Sequence, residues 1–390
     1  MRKTADAVII GGGIIGTSTL YHLTRLGLRN VVLLEKGGLS SASSGDSAAM
    51  VRQHYSNEVS IRLVKESLRF FQTFADEFDG AEVYKAPGWI FLCAPEARDV
   101  FKENMARLTG LGVQTWEISV DDAAEELPGL NTDGIGPVAF EPESGYADPH
   151  GVANALEEKA VASGAEVNTQ TAATGLAMDG GRVGGVITEN GTIESPIVVN
   201  AAGPWAKEIG RWAGLDLPLT ISREQDIIVR TPNGMQPPRR VVSNMVDRIY
   251  CRPEGDRMIL AGTGHPKENE PADPDSYKRE ADGGFVDDVS RRLEHRFPSL
   301  AGAELVSSWA GLYTITPDWN MMVGAAPGVE GLFLAVGGSG HSFKLGPAIG
   351  RCLAELITEG RASTVDITPL RPDRFDEDAP LRSTYGGNRA

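Results

Sequence analysis

The sequence predicts an α/β protein with a split nucleotide-binding domain around a parallel sheet and a second, β-rich domain. Glycine-rich segments follow apolar, strand-like runs three times, at residues 10–16, 200–204 and 336–340. Longer stretches with strand and turn patterns separate these segments. Glycine-rich turns at the carboxyl ends of strands are typical of doubly wound sheets, so we expect the three segments to belong to one domain.

The first glycine segment has the surroundings of a dinucleotide-binding turn. The apolar run 7–10 precedes Gly11, Gly13 and Gly16, which fit the pattern G-x-G-x-x-G. Leucines at helical spacing follow, and a second apolar run ends on Glu35. The glycines let backbone N–H groups and a helix N-terminus approach a pyrophosphate, and the acid accepts from a ribose hydroxyl. The alternative is a tight strand–helix turn beside a surface glutamate.

Later elements follow from local patterns. Asn57 is a cap residue for a helix whose apolar stripe continues to Phe78, and Asp148 opens a second helix. Two strand-like runs within residues 249–260 flank a turn, which predicts a hairpin. The last helix is expected to begin at about Pro347.

The separated segments define the expected domains. The nucleotide-binding domain comprises residues 1–82, 145–217 and 320–390, and the substrate-binding domain comprises residues 83–144 and 218–319.

The composition argues against several classes of partner. The 390 residues carry 53 Asp plus Glu against 37 Lys plus Arg, a formal charge of −16, which disfavours nucleic acids and anionic membranes as partners. No N-terminal stretch has the pattern of a signal peptide or spanning helix, so we expect a cytoplasmic protein without membrane insertion. Its three scattered cysteines predict reduced thiols and no metal site.

Three motifs together resemble the D-amino-acid oxidase superfamily of FAD enzymes. They are the N-terminal fingerprint, Val199-Asn-Ala-Ala-Gly-Pro-Trp-Ala206 and Gly338-Ser-Gly-His-Ser-Phe-Lys344, and Tyr313-Thr-Ile-Thr-Pro-Asp318 strengthens the likeness. The chain is most similar to sarcosine oxidases, both the β-subunit type and the monomeric type, and more distantly to glycine oxidase. The resemblance implies a Rossmann-like FAD-binding domain and a substrate domain of mixed antiparallel sheet plus helices.

The resemblance also implies which residues hold FAD. They are Gly11, Gly13, Ile14, Ile15, Gly16, Glu35, Lys36, Ser43, Ser44, Gly45, Ala173, Ala202, Gly203, Trp205, Gly338, Gly340, His341 and Lys344.

At the substrate end, Arg52 and Lys344 match positions that bind the substrate carboxylate in sarcosine oxidases. An Arg fork supplies bidentate geometry and a lysine a point charge, although either is also a common surface cation. Tyr250 and Tyr313 resemble the aromatic wall and hydroxyl donors of that pocket, or are core tyrosines. His54 is a further catalytic candidate, with His265 beside it, although a lone histidine is often structural.

Two departures from the family pattern bear on the chemistry. Monomeric sarcosine oxidases attach FAD to a cysteine just before the Y-T-x-T-P-D motif, where this chain has Ala310-Gly311-Leu312, so we expect non-covalent FAD. Those oxidases also carry an oxygen-activating lysine on a substrate-domain strand. The corresponding run, residues 258–262, has none, and Lys267 is the nearest candidate. The acceptor is therefore open between oxygen, a quinone, another flavin and a partner subunit.

The resemblance implies FAD-dependent oxidation of the C–N bond of a secondary or N-alkyl, sarcosine-like amino acid, which includes N-demethylation. Hydride transfer to the flavin gives an imine that hydrolyses. One alternative is a 2-hydroxy-acid dehydrogenase, which needs a positioned base such as His54 or His265. Another is an electron-transferring subunit of a multi-subunit amino acid dehydrogenase, and a partner subunit or a homo-oligomer remains open.

Overall fold

The computed structural model describes residues 1–264 and 268–382. They form a six-stranded sheet, an eight-stranded sheet and two three-stranded sheets. The strands are β1 (Ala7–Ile10), β2 (Val31–Leu34), β3 (Met50–Val51), β4 (Tyr84–Lys85), β5 (Trp89–Leu92), β6 (Trp116–Ile118), β7 (Val138–Glu141), β8 (Gly145–Ala147), β9 (Glu166–Asn168), β10 (Ala173–Asp179), β11 (Arg182–Thr188), β12 (Gly191–Glu194), β13 (Val198–Asn200), β14 (Thr220–Arg230), β15 (Val241–Asn244), β16 (Ile249–Glu254), β17 (Met258–Thr263), β18 (Glu304–Ile315), β19 (Met322–Ala325) and β20 (Leu332–Val336). The helices are α1 (Ile14–Arg25), α2 (Glu58–Gln72), α3 (Phe74–Glu77), α4 (Arg98–Gly110), α5 (Val120–Glu126), α6 (Pro149–Ala162), α7 (Ala206–Trp212), α8 (Gly283–Arg296) and α9 (Ser342–Glu359).

The six-stranded sheet has the order β19-β20-β13-β1-β2-β9, and every neighbouring pair except β19–β20 is parallel. Strands β1 and β2 are buried along their whole length, as their continuous apolar sequences require in a sheet covered on both faces. Helices α1, α2, α6 and α9 cover one face. Strands β10–β12 and helix α7 cover the other. The predicted α/β architecture is confirmed.

Helices α1 and α9 approach closely on that first face. An ideal Cβ on Gly346 would lie 2.7 Å from the Ile14 side chain, and one on Gly350 would overlap Ser18. Ser18 Oγ donates to the carbonyl of Pro347 at 3.1 Å. This contact fixes the start of α9 against the start of α1, so the first and last glycine segments are held together.

The eight-stranded sheet has the order β18-β14-β17-β16-β15-β5-β7-β6. Helices α5 and α8 pack an apolar core against one of its faces, while the other face carries Trp89, Phe91, Tyr250 and further side chains of a cavity. Its strands come from residues 89–141 and 220–315. The domain boundaries given above stay a prediction.

Most local predictions agree with the elements. Asn57 caps α2 by accepting from Ser60 N at 2.9 Å, Asp148 caps α6, and β16 and β17 pair as an antiparallel hairpin.

Two expected helices differ from the structure. The apolar stripe after Asn57 is divided, because α2 ends at Gln72 and Phe74 begins the separate helix α3. The last helix begins at Ser342 rather than at Pro347, which lies inside α9. Proline is common at the first position of a helix, and this preference placed the predicted start too late.

Candidate active site and cofactor cradle

The three glycine segments meet at one edge of the six-stranded sheet. They follow β1, β13 and β20, which are adjacent parallel strands, and so their carboxyl ends lie side by side. Gly11 has φ +112°, and a Cβ there would overlap the carbonyl oxygen of Ala201. The close approach of the first two segments therefore depends on this glycine. A cavity of about 760 Å³ opens at this edge and extends to the eight-stranded sheet.

Glu35 lies at the end of β2, in the position expected for a ribose-binding acid. Its Oε2 accepts from Gly12 N at 2.7 Å, and its Oε1 accepts from Gly37 N at 2.6 Å. These two backbone donors fix the carboxylate, and each oxygen keeps a lone pair for a ligand hydroxyl.

Lys36 and Trp205 form a small cluster at the rim of the same end. The Lys36 ammonium lies 3.5 Å from the Trp205 ring centroid and 2.8 Å from Asp275. Trp205 Nε1 also donates to Asp275 at 2.9 Å, and hydrogen bonds from Lys36 and Trp205 lower the pKa of Asp275. Trp205, which the resemblance places at the cofactor, thus also joins the segment after β17 to the nucleotide-binding side.

The N-terminus of α1 faces the middle of the cavity. Ile14 N donates to Ser44 Oγ at 3.1 Å, and Ser43 Oγ donates to the carbonyl of Leu312 at 2.7 Å. Ser40 also lines the cavity, and its buried Oγ has no hydrogen-bond partner within residues 1–264 and 268–382. Backbone N–H groups, hydroxyls and a helix dipole are the donor set that a pyrophosphate takes. The residues present therefore fit a dinucleotide.

The other predicted cofactor residues divide into two groups. Those on the cavity wall are Gly13, Ile15, Ala173, Ala202, Gly203, Gly338, Gly340 and His341. Gly16 and Gly45 lie behind it, because a Cβ on Gly16 would overlap the carbonyl oxygen of Gly11, and one on Gly45 would overlap that of Ser40. These two glycines pack the loops that form the wall.

The third glycine segment opens α9 at the far end of the cavity. Ser339 has φ +47°, and its hydroxyl donates to the carbonyl of Gly337 at 3.1 Å. His341 Nδ1 lies 3.1 Å from the hydroxyl of Tyr55. The positive end of a long helix therefore faces this part of the cavity.

Two cations stand beside that helix end. Arg52 follows β3, and Lys344 lies in the first turn of α9 and is buried. The Arg52 guanidinium lies 4.6 Å from the Tyr55 ring centroid and donates from Nη1 to the carbonyl of His54. Lys344 Nζ donates to the carbonyl of Gly340 at 3.2 Å. Burial and the Arg52 charge lower the pKa of Lys344 well below its usual value.

His54 is buried behind Arg52 and is held by neighbours. Its ring stacks on Phe91 with 4.2 Å between centroids, and its Nδ1 lies 3.5 Å from Glu141. Burial opposes ionisation of Glu141, but interactions with His54, Ser144 and the backbone N–H of Gln53 outweigh it and lower its pKa. The structure thus gives His54 a buried carboxylate partner. The other histidine considered, His265, and Lys267 lie outside the described residues.

The sequence reasoning missed two carboxylates that line the same cavity as the cations. Glu224 and Asp226 lie two residues apart on β14, so they share a face, and both are buried. Tyr250 donates its hydroxyl proton to Asp226 Oδ1 at 2.5 Å. Burial and the charge of Asp226 raise the pKa of Tyr250. Tyr313 also lines the cavity, and burial raises its pKa. The polar alternation Ser222, Glu224, Asp226 was the available signal.

A strand–turn–helix dinucleotide cradle that shares a cavity with two cations fits an oxidoreductase with a dinucleotide cofactor. Comparison with known families agrees: residues 6–356 match the family described as FAD dependent oxidoreductase. The chain belongs to this family, and its cofactor is FAD.

Individual relatives are consistent with this. Human mitochondrial sarcosine dehydrogenase is 31% identical over 93% of the chain, which spans only 40% of that protein. Among solved structures, L-proline dehydrogenase from P. horikoshii has a TM-score of 0.90 and 28% identity, with coverage of 98% of this chain and 100% of the other. Glycine oxidase from Geobacillus kaustophilus has a TM-score of 0.84 and 25% identity, with coverage of 96% and 99%.

Two further observations concern the membrane and metal ions. A bilayer-spanning helix, which needs both length and sustained apolarity, is not found in the part of the chain that the structure describes. Within the same residues, no group of three or more His, Cys, Asp or Glu side chains is arranged to hold a metal ion.

Proposed function

We propose that the protein oxidises the C–N bond of a secondary or N-alkyl amino acid, giving an imine that hydrolyses. The observation that carries the proposal is the pair Arg52 and Lys344, two cations that line the same cavity as the dinucleotide cradle. When bound, FAD supplies the acceptor for the hydride that leaves the carbon beside the nitrogen.

The protein's own residues bind and orient the substrate. Nη1 of Arg52 is engaged by the His54 carbonyl, so its Nε and Nη2 present a fork that fits a carboxylate, and Lys344 adds a second charge. Fixing the carboxylate at this end orients the adjacent C–H bond, which is the main contribution expected of the site.

An apolar wall completes the pocket. Trp89 and Phe91 of β5 and Met245 after β15 line the cavity on the side of the eight-stranded sheet. These side chains suit an N-alkyl group or a hydrocarbon ring, and they exclude water from the carbon that is oxidised. Related proteins act on such compounds, to judge from their names as sarcosine and L-proline dehydrogenases.

We also propose that FAD is held without a covalent bond. The cysteines Cys93, Cys251 and Cys352 are buried, and none of them is among the described residues that line the cavity. Precipitation with acid should therefore release all of the flavin into the supernatant, and flavin that stays with the protein would contradict this.

The function is tested by anaerobic rapid mixing of the FAD-loaded protein with sarcosine, N,N-dimethylglycine, L-proline, glycine and lactate. We expect the oxidised flavin absorbance to bleach with at least one secondary or N-alkyl amino acid, and more slowly with glycine. Failure of every secondary or N-alkyl amino acid to bleach the flavin would refute the proposal, and bleaching by lactate alone would favour a 2-hydroxy-acid dehydrogenase.

A second candidate role is that of one subunit in a larger dehydrogenase. It is favoured by residues 258–262, which lack the oxygen-activating lysine that the resemblance to sarcosine oxidases places there. In that case the reduced protein should react slowly with oxygen and rapidly with an artificial acceptor. Fast turnover with oxygen by a lone species in light scattering would argue against it.

A further inference from the structure

A row of residues crosses the eight-stranded sheet beneath the substrate end of the cavity. Tyr250 on β16 lies opposite Gly262 on β17, and Gly262 lies opposite Asp226 on β14. Residues opposite one another on paired strands project to the same face of the sheet. Tyr250 and Asp226 therefore flank Gly262 on the face that lines the cavity.

Gly262 leaves the space in which these two side chains meet. A Cβ at this position would overlap both the Tyr250 hydroxyl and Asp226 Oδ1. The backbone of Gly262 does not have a left-handed φ, so the glycine is used for its missing side chain rather than for its backbone freedom. The 2.5 Å hydrogen bond from Tyr250 to Asp226 passes over it.

The direction of this hydrogen bond decides what the pair binds. Since the phenolic proton is donated to Asp226, the lone pairs of the Tyr250 oxygen are available to accept. A ligand donor with positive charge suits such an oxygen, because donation of the phenolic proton to Asp226 makes the Tyr250 oxygen a stronger acceptor. The ammonium group of an amino acid whose carboxylate is held by Arg52 and Lys344 has this chemistry.

We propose that Tyr250 accepts a proton from the substrate ammonium group and passes its own proton to Asp226. This inference rests on the proposed function. One N–H bond breaks, the proton joins the Tyr250 oxygen, and the original phenolic proton moves to Asp226 Oδ1. The products are a neutral amine with a free lone pair, an unchanged tyrosine and a neutral carboxylic acid. Hydride leaves readily only from the neutral amine, so the pair prepares the substrate for oxidation.

Other charged groups face the pair and share its environment. Glu224 lies on the same strand as Asp226, and Tyr313 on β18, Arg52 and Lys344 line the same cavity. Asp226 and Glu224 both contribute to the raised pKa of Tyr313, so a substitution at Asp226 also changes the titration of Tyr313. E224Q has the same kind of indirect effect on Tyr313 and is therefore the matched control for D226N.

Ligand pairs that differ only at the nitrogen test the binding step. Methoxyacetate has the shape and carboxylate of sarcosine but an ether oxygen in place of the ammonium, and tetrahydrofuran-2-carboxylate has the same relation to L-proline. Affinities come from flavin absorbance changes, or from the concentration dependence of flavin reduction. At pH 7, D226N should weaken the amino acid by about tenfold or more, the range for a hydrogen bond to a charged group, and the ether by less than about twofold.

The pH profile of anaerobic flavin reduction tests the proton transfer. The wild type deprotonates the bound zwitterion. The ratio of its reduction rate constant to Kd should therefore reach a plateau at pH values below the pKa of the free amine. D226N can use only neutral amine from solution, so the same quantity should rise about tenfold for each pH unit from 7 to 9.

Three further variants separate the pair from its surroundings. E224Q removes an equal charge from the same face of β14 and should keep the shape of the wild-type profile. Y250F and G262A each break the Tyr250–Asp226 contact while retaining the carboxylate, and both should shift toward the D226N profile. Flavin content and circular dichroism establish that each variant is folded, and the isosteric D226N carries the test if G262A is not.

Equal weakening of amino acid and ether by D226N, or superimposable pH profiles, would overturn the inference. If no amino acid reduces the wild-type flavin, the proposed function fails separately. The amino acid and ether ligands then decide alone. A selective loss of affinity for the amino acid in D226N supports Tyr250 and Asp226 as an ammonium site, and an equal loss of affinity for both ligands refutes it.

Discussion

Replacing Arg52 by alanine should weaken binding of the substrate carboxylate about a hundredfold. The guanidinium uses Nη1 on the His54 carbonyl and lies over the Tyr55 ring, so its plane is fixed and its Nε and Nη2 remain as a fork. A hydrogen bond to a charged group contributes about 1.5–3 kcal/mol, and R52A removes two.

Lys344 offsets part of this loss. The Arg52 charge helps to lower the pKa of Lys344, so Lys344 becomes more fully protonated when Arg52 is absent. A net loss of about 2.7 kcal/mol corresponds to about a hundredfold in Kd.

The assay is titration of the FAD-loaded protein with methoxyacetate, followed by flavin absorbance, so that affinity is measured without turnover. R52K keeps the charge but not the fork and should give an intermediate Kd. R62A removes an arginine from an exposed ion pair on α2 and should leave the Kd unchanged. A Kd for R52A within about threefold of the wild type would remove Arg52 from the site.

Three further predictions concern the cofactor and stability. G11A should purify with little FAD, because a Cβ would overlap the Ala201 carbonyl; G27A, with a similar φ of +100° but no atom within 4 Å, should keep its FAD by absorbance, and full FAD in G11A would contradict this. R374A should lower the free energy of unfolding by about 3–5 kcal/mol in denaturant titrations, because it leaves Asp318 buried without its bidentate partner. The control R371A removes an arginine from a more exposed ion pair and should change the free energy of unfolding by under about 1 kcal/mol. Equal effects of R374A and R371A would contradict this prediction. Burial keeps the pKa of Lys344 in the folded protein below its value in the unfolded chain. Between these two pKa values the unfolded state binds more protons, so stability should rise with pH. K344M should flatten that rise in thermal unfolding scans, and an unchanged slope would contradict the prediction.

Local patterns were enough to predict the turn between β1 and α1 and the acid after β2, because each signal lies within one short segment. Gly11 and Glu35 directly follow the neighbouring strands β1 and β2, so the turn and the acid were recognisable without knowledge of the rest of the fold. The cations Arg52 and Lys344 came from a resemblance rather than from pattern, since nothing in their local sequence marks them as facing one cavity.

The features that were missed depend on contacts between distant segments. The contact of Asp226 with Tyr250 can be recognised only from the strand pairing, since β14 and β16 both pair with β17 and Gly262 lies between the two residues. Trp205 reaches Asp275, a partner 70 residues away. The start of α9 was misplaced because packing of Gly346 and Gly350 on α1 extends the helix before Pro347, against the usual position of proline.

A crystal structure of the FAD-loaded protein with methoxyacetate tests the central claim most directly. We predict the inhibitor carboxylate between the Arg52 fork and the Lys344 ammonium, with its ether oxygen toward Tyr250. A carboxylate bound away from both cations, or a flavin that does not reach the segment Gly338–Gly340, would contradict the account.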